Sequence, residues 1–289
     1  MTGIIIVNKP EGWTSHDIVA KLRRILGERR IGHGGTLDPM ATGVLPVFVG
    51  RATRAVEFME NADKEYVAAL RLGISTDTQD TTGNIISEKP ASVSREELEA
   101  VLGRFSGEIE QLPPMYSAIK VDGKKLYEYA RKGTEIERKT RKITIHELEV
   151  VGQREDGDYL LRVVCSKGTY IRALCSDIGD ALGCGGAMSA LVRTRAGAYR
   201  VETAHAMEDI IAAGPEKAPE MLMSLDSMFA MYPDAAVNES GEKRCRNGLA
   251  PKLKNAPKGK FRLYSESGEF LALCENNGEV RVIKSFYEV

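Results

Sequence analysis

Apolar residues along the chain change period several times, and each change marks an element. Residues 4–7 form an unbroken apolar run that reads as a buried strand, closed by a turn at Pro10-Glu11-Gly12. Apolar positions then fall at 18, 19, 22, 25 and 26, the spacing of one helix face, with Thr14 or Ser15 as its cap. Residues 44–49 and 65–72 read as strands, and 76–83 as a polar turn. Ser94 with Glu97 three positions on is a capping-box signature and predicts a helix over 94–105. Residues 143–151, 159–166 and 280–286 resume strand patterning, and the Met/Leu-rich stretch 221–231 reads as a helix. Tyr170 and Arg172 are expected on one face of a strand, because residues two apart in a strand point the same way. Strands and helices without regular βαβ alternation predict an α+β architecture.

Composition adds a boundary and a charge pattern. Of 289 residues, 43% are hydrophobic and 28% charged, ordinary globular usage that excludes disordered and disulfide-scaffold classes. A composition shift at 212–219 and short strands at 260–264, 270–274 and 280–283 suggest a small β-rich appendage, or a last layer of the main fold. Lysine and arginine total 40 against 41 aspartate and glutamate, a near balance that argues against a polyanion as partner. The partition reverses that argument. Residues 120–142 hold nine basic and four acidic side chains, and 241–262 hold eight and one, so these segments carry +5 and +7 on an otherwise acidic chain. Two basic faces for a nucleic acid or two solvated loops fit equally well on charge alone.

Chemistry is narrowed by what is missing. No phosphate loop, dinucleotide fingerprint, nucleophile elbow or zinc-protease motif occurs, and Cys165, Cys175, Cys184, Cys245 and Cys274 form no metal-ligand spacing with the histidines. Unpaired cysteines, no signal peptide and no apolar run of about 18 residues lead to the expectation of a soluble cytoplasmic protein. What remains is Asp38 in a glycine-rich loop between a basic helix end and an apolar strand. A turn carboxylate is the ordinary reading of an Asp-Pro pair. A functional reading needs a cation to orient the carboxylate and an aromatic face for a planar substrate, which Arg172 and Tyr170 could supply.

The motifs NKPEGWTSHDIV (8–19), GHGGTLDPMATGVLP (32–46), KEY (64–66), LGISTDTQDTTG (72–83), LPPMYSAIKVDGKKLYEYARKG (112–133), CSKGTYIRALCSDIGDALGCGG (165–186) and LVRTRAG (191–197) occur in one order. In these the chain resembles the bacterial tRNA pseudouridine-55 synthases, the TruB family, over essentially its whole length. The resemblance implies a pseudouridine synthase fold with a central mixed or antiparallel sheet flanked by helices. It implies a catalytic domain over 1–225, a thumb-like RNA-binding insertion at 114–142 and a PUA-like RNA-binding domain at 230–289. It also implies a reaction in which uracil is detached from N1, turned and rejoined to ribose through C5, with no cofactor or metal.

By that resemblance Asp38 is the nucleophile, an anion at neutral pH that needs positioning more than activation. Arg172 pairs with it, and Tyr66 stacks on the uracil and is the candidate for taking the C5 proton. Tyr170 and Leu191 line the base pocket, Asp80 belongs to the active-site network, His33 contacts the extruded nucleotides, and Lys9 supports the catalytic loop. The implied partner is the tRNA T-arm stem-loop, bound by a monomer without an obligate protein partner. Two other readings stay open: a guide-RNA-dependent relative, against which the intact 112–142 insertion argues, and a non-catalytic tRNA chaperone.

Overall fold

The computed structural model describes residues 1–253 and 255–287; Lys254, counted above in the second basic segment, and the last two residues of the 230–289 unit lie outside the described residues. In chain order, β1 (Gly3–Lys9), α1 (Ser15–Leu26), β2 (Ile31–His33) and β3 (Thr42–Val49) precede α2 (Val56–Glu60) and β4 (Lys64–Leu72). The hairpin β5 (Ile74–Thr76) and β6 (Ile85–Glu88) leads to α3 (Arg95–Leu102) and β7 (Gly107–Gln111). The basic insertion forms a second hairpin, β8 (Lys120–Val121) and β9 (Lys124–Lys125), and α4 (Leu126–Ala130). The chain then adds β10 (Arg141–Gln153), β11 (Tyr159–Cys165), α5 (Ile171–Ala181), β12 (Gly186–Ala196), β13 (Tyr199–Arg200), β14 (His205–Ala206) and α6 (Met207–Lys217). It closes with β15 (Asp234–Val237), α7 (Glu239–Arg246), β16 (Gly259–Ser265), β17 (Phe270–Asn276) and β18 (Val280–Ser285).

One mixed sheet organises the body. Its order is β14-β1-β3-β12-β4-β11-β10-β7, with β2 beside β3 and β13 beside β12. The β1/β14 and β3/β12 pairs are parallel and the others antiparallel. The unbroken apolar run of β1 is explained by burial on both faces. Ile4 and Ile6 pack with Phe48 and Phe229, while Ile5 and Val7 meet Ile18 and Leu22 of α1. Thr14 is the α1 cap, in a reciprocal box with Asp17, and Gly27 ends the helix in the left-handed conformation. Ser15, the other candidate cap, turns its hydroxyl to the main chain of Leu37 instead.

The last four strands make a separate sheet, β15-β16-β17-β18, around Val237, Cys245, Phe261 and Leu263. Leu273 and Phe286 pack with Phe229 of the body, and Arg51 pairs with Glu269 at 2.9 Å, so the unit is seated on the main fold.

Two sequence expectations are corrected. Tyr170 and Arg172 do not share a strand face: β11 stops at Cys165, a turn follows with Gly168 at φ 80°, and Tyr170 is the N-cap of α5, in which Arg172 is the second residue. The reason lies downstream, where Ile171, Leu174, Cys175 and Ile178 bury one helical face. The 221–231 stretch is not one helix either, but two 3₁₀ segments, Ala218–Met221 and Leu225–Phe229. Between them Met223 is extended and exchanges main-chain hydrogen bonds with Ile4 at 2.9 and 2.8 Å.

Candidate active site

Asp38 stands on the loop between β2 and β3, which has no regular structure of its own and is held from outside. The N–H of Leu37 donates to Ser15 Oγ at 2.9 Å, tying the loop to α1. Lys9 Nζ reaches the carbonyls of Pro10 (2.8 Å), Trp13 (2.6 Å) and Pro39 (3.2 Å), fastening the residue after Asp38 to the end of β1. Arg193 of β12 donates to the carbonyls of Val44 (2.7 Å), Gly35 (3.1 Å) and Thr36 (3.5 Å). Gly43 is required where the loop enters β3: its φ is 101°, and a Cβ there would lie 2.3 Å from the Arg193 carbonyl oxygen.

Arg172 is the hub. Its Nε donates to Asp38 Oδ2 at 2.8 Å and its Nη2 to Asp38 Oδ1 at 3.4 Å, the two-point geometry that fixes a carboxylate plane. The remaining donors go to the carbonyls of Thr78 (3.0 Å) and Tyr116 (2.9 Å), and Asp80 Oδ2 lies 3.7 Å from Nε. Asp80 is buried and is itself held by both hydroxyls of Thr78 and Thr82 and by the Thr82 N–H. Asp38 keeps 37% of its side chain exposed while that of Arg172 keeps 7%, so the carboxylate is gripped from behind and open in front.

In front of it is a pocket of about 590 Å³. Tyr66 on β4, Leu191 and Arg193 on β12, and Tyr170 at the start of α5 line it, as do Tyr116 and Tyr127 from the 112–142 segment. Tyr66 and Arg193 are direct cross-strand partners. Burial holds the Tyr66 phenol above its ordinary value, and the Arg193 guanidinium opposes that rise. Tyr170 is fixed by Gln111, whose amide accepts from its N–H at 2.8 Å and donates to its carbonyl at 3.0 Å.

Asp38, Tyr66, Tyr170, Arg172 and Leu191 therefore come together at one pocket. Asp80 and Lys9 stand behind it and act on Arg172 and the loop. Lys9 is fully buried, and burial, opposed by Asp38 and Glu11, brings its ammonium down to about 8. His33 lies at the end of β2, edge-on to His16 at 5.2 Å, and His16 is the one at the pocket wall. Arg193, Gln111 and Lys64 were not singled out from sequence. For Arg193 a signal existed: it shares the inward face of β12 with Leu191, and a charge on a buried strand face demands a reason.

Burial, and next the neighbouring His16, push the His33 imidazole down to about 4. Below about 6.5 an unfolded histidine takes up a proton that folded His33 refuses until about 4, so stability falls as pH drops through that window. Melting curves between those limits should show a shallower acid loss for His33→Gln than for the wild type; parallel curves would count against a neutral buried His33.

The N-terminal domain profile of the TruB family pseudouridylate synthases matches residues 23–171, and the profile of the tRNA pseudouridylate synthase B C-terminal domain matches 172–230. The chain belongs to the TruB family of pseudouridylate synthases. It is 45% identical over 261 residues to a tRNA pseudouridine synthase B of Geobacillus kaustophilus, covering 88% of this chain and 92% of that one. The corresponding protein of Clostridium kluyveri is 42% identical over 292 residues, 99% and 100% of the two chains. Among solved structures, a Cbf5-Nop10-Gar1 complex contains a chain that is 30% identical with a TM-score of 0.72, covering 99% of this chain and 85% of that one. The two TruB profiles meet between Ile171 and Arg172, inside α5, so the compact body spans both and the β15–β18 sheet lies beyond them. Among the described residues no helix is long and apolar enough to cross a membrane.

Proposed function

We propose that this TruB-family synthase converts the uridine at position 55 in the T loop of tRNA to pseudouridine, with Asp38 as the nucleophile and residues 1–225 as the catalytic domain. The observation that carries the reading is the open carboxylate of Asp38, gripped by Arg172 at the floor of a pocket whose walls are Tyr66 and Leu191. A uridine in a folded loop is reached only by leaving its stack, and the unstacking is offset by an aromatic face in the pocket and by phosphate contacts outside it. Tyr66 supplies the face and is the candidate acceptor of the C5 proton. Asp38, at its ion-paired position, is aimed at the sugar–base junction.

The insertion at 114–142 and the PUA-like unit at 230–289 supply the phosphate contacts. Tyr127 stands between Lys125 and Arg131, whose cations lie 5.4 and 5.2 Å from its ring centre, a surface suited to stacked or splayed nucleotides. Affinity for tRNA should fall about a thousandfold between 50 and 200 mM salt, the loss produced by about six phosphate contacts. A flat dependence in a filter-binding titration would contradict the basic faces.

The guide-dependent reading is favoured by the likeness to the Cbf5 chain, but relatives named tRNA pseudouridine synthase B are closer, at 41–45% identity. An unmodified T-arm stem-loop, alone with the protein and assayed for carbodiimide-reactive pseudouridine, separates the two. Product without guide or partner supports the proposal, and its absence overturns it.

A further inference from the structure

The pocket wall holds two buried cations with no role in the nucleophile or proton-acceptor assignments. Lys64 opens β4, and among the described residues its ammonium donates only to the carbonyls of Met59 and Glu60 at the end of α2, each at 3.1 Å. Arg193 is fully buried, and its three hydrogen-bonded carbonyls belong to Val44, Gly35 and Thr36. Strand register brings the pair to one face: Arg193 lies across from Tyr66, and Lys64 precedes Tyr66 by two residues. Both line the pocket that holds Asp38.

These acceptors are neutral, as is the Tyr66 phenol that Arg193 also meets, and among the described residues neither cation enters an ion pair. Arg172 is different, with carboxylates at 2.8 and 3.7 Å. Two like charges desolvated in one wall are unfavourable, and the half-exposed Asp63 offsets this for Lys64 only in part. Burial, and next Arg193, hold the Lys64 ammonium below its ordinary value. A wall of this kind is poised for an anion entering the pocket.

The proposed reaction generates one. If Asp38 attacks C1′, an Asp38 oxygen–C1′ bond forms as the N1–C1′ bond breaks, and the electron pair stays on N1 of the uracil. Addition at C6, or departure after loss of the C2′ proton, also places negative charge on the ring and its carbonyl oxygens. When C5 bonds to C1′ the Asp38 oxygen leaves, and the C5 proton is balanced by the one gained at N1, so nothing is consumed. We propose that Lys64 and Arg193 are the fixed charges that stabilise this uracil anion while it turns in the pocket. The inference rests on the pseudouridine synthase reading and adds to it two residues that act on the detached base. Preorganised charges of this kind act where charge develops and require no reorganisation.

The test uses the full chain and a T-arm stem-loop tritiated at C5 of the target uridine, with tritium release followed in a single turnover and RNA affinity measured alongside. Lys64→Met should slow release about a hundredfold with affinity within a few-fold of the wild type. Lys64→Arg keeps the charge and should retain most of the rate. The groups facing Lys64 are Arg193 from β12, Cys165 from β11, and Asp63 and Lys167 from the adjoining loops. Raising the pH should therefore slow the wild type as Lys64 loses its proton, and Lys64→Arg should abolish that fall because a guanidinium stays charged. Arg193→Lys, chosen because Arg193 also seats the Asp38 loop, should slow release without abolishing RNA binding. Wild-type release by Lys64→Met overturns the proposal. So does equal loss in Lys64→Met and Lys64→Arg with lowered melting temperatures, the signature of a bracket for α2. If the wild type itself releases no tritium, it is the parent reading that fails.

Discussion

Asp38→Asn should stop isomerisation and leave the T arm bound. The substitution keeps the size of the side chain and removes the anion, so Arg172 loses its two-point partner but retains Asp80 and the carbonyls of Thr78 and Tyr116. The loop keeps its attachments through Ser15, Lys9 and Arg193, none of which touches the Asp38 carboxylate. Binding should stay within a few-fold, since the proposed phosphate contacts are on the insertion and the C-terminal unit. The single-turnover rate should fall by roughly 10⁴-fold or more, the scale of removing a covalent nucleophile. Rapid-quench measurement on tRNA checks the rate, and filter binding the affinity. A variant that binds poorly and reacts normally would reverse the assignment.

Arg172→Met should lower both activity and stability, which distinguishes it from Asp38→Asn. Asp80 is 5% exposed and would be left as a buried carboxylate without its cation, whereas Asp38 can rehydrate. Breaking a buried pair by removing one partner costs about 3–5 kcal/mol. For a chain of this size that is a drop in melting temperature of about 10 °C. The rate should fall by more than about a hundredfold, because the carboxylate loses its aim and the root of the insertion loses its tie at Tyr116. Arg172→Lys should rescue little, since one ammonium cannot reach Asp38, Asp80, Thr78 and Tyr116 together. Thermal melts and single-turnover rates check it; wild-type stability in Arg172→Met would mean that the buried network is not a structural unit.

Elements whose signals are local were legible in the sequence. Ser94 with Glu97 forms the capping box that its spacing announces, Thr14 is one of the two caps expected for α1, and the apolar run of β1 is a strand buried on both sides. The misreadings fall where distant contacts decide. Strand patterning carries on from 159–166 into Tyr170, but Gly168 turns the chain and the helical face of α5 claims the residues beyond. At 221–231 the apolar composition suits a helix, yet Met223 pairs with Ile4, more than two hundred residues earlier in the chain. The site followed the same rule. Asp38 with Arg172 and Tyr170 stands out as a carboxylate, a cation and an aromatic face, Tyr66 only through the motif resemblance, and only the fold shows the Arg172 hydrogen bonds that join loop, turn and insertion. Gln111 carries no sequence signal, because its importance is a pair of hydrogen bonds to one main-chain residue 59 positions away.

Tritium release from C5 of the target uridine in a free T-arm stem-loop, compared between the wild type and Asp38→Asn, tests most directly whether Asp38 performs this chemistry. One tritium per RNA from the wild type, and none from an Asp38→Asn protein that still binds the stem-loop, is the predicted result. Release by Asp38→Asn at the wild-type rate would contradict it.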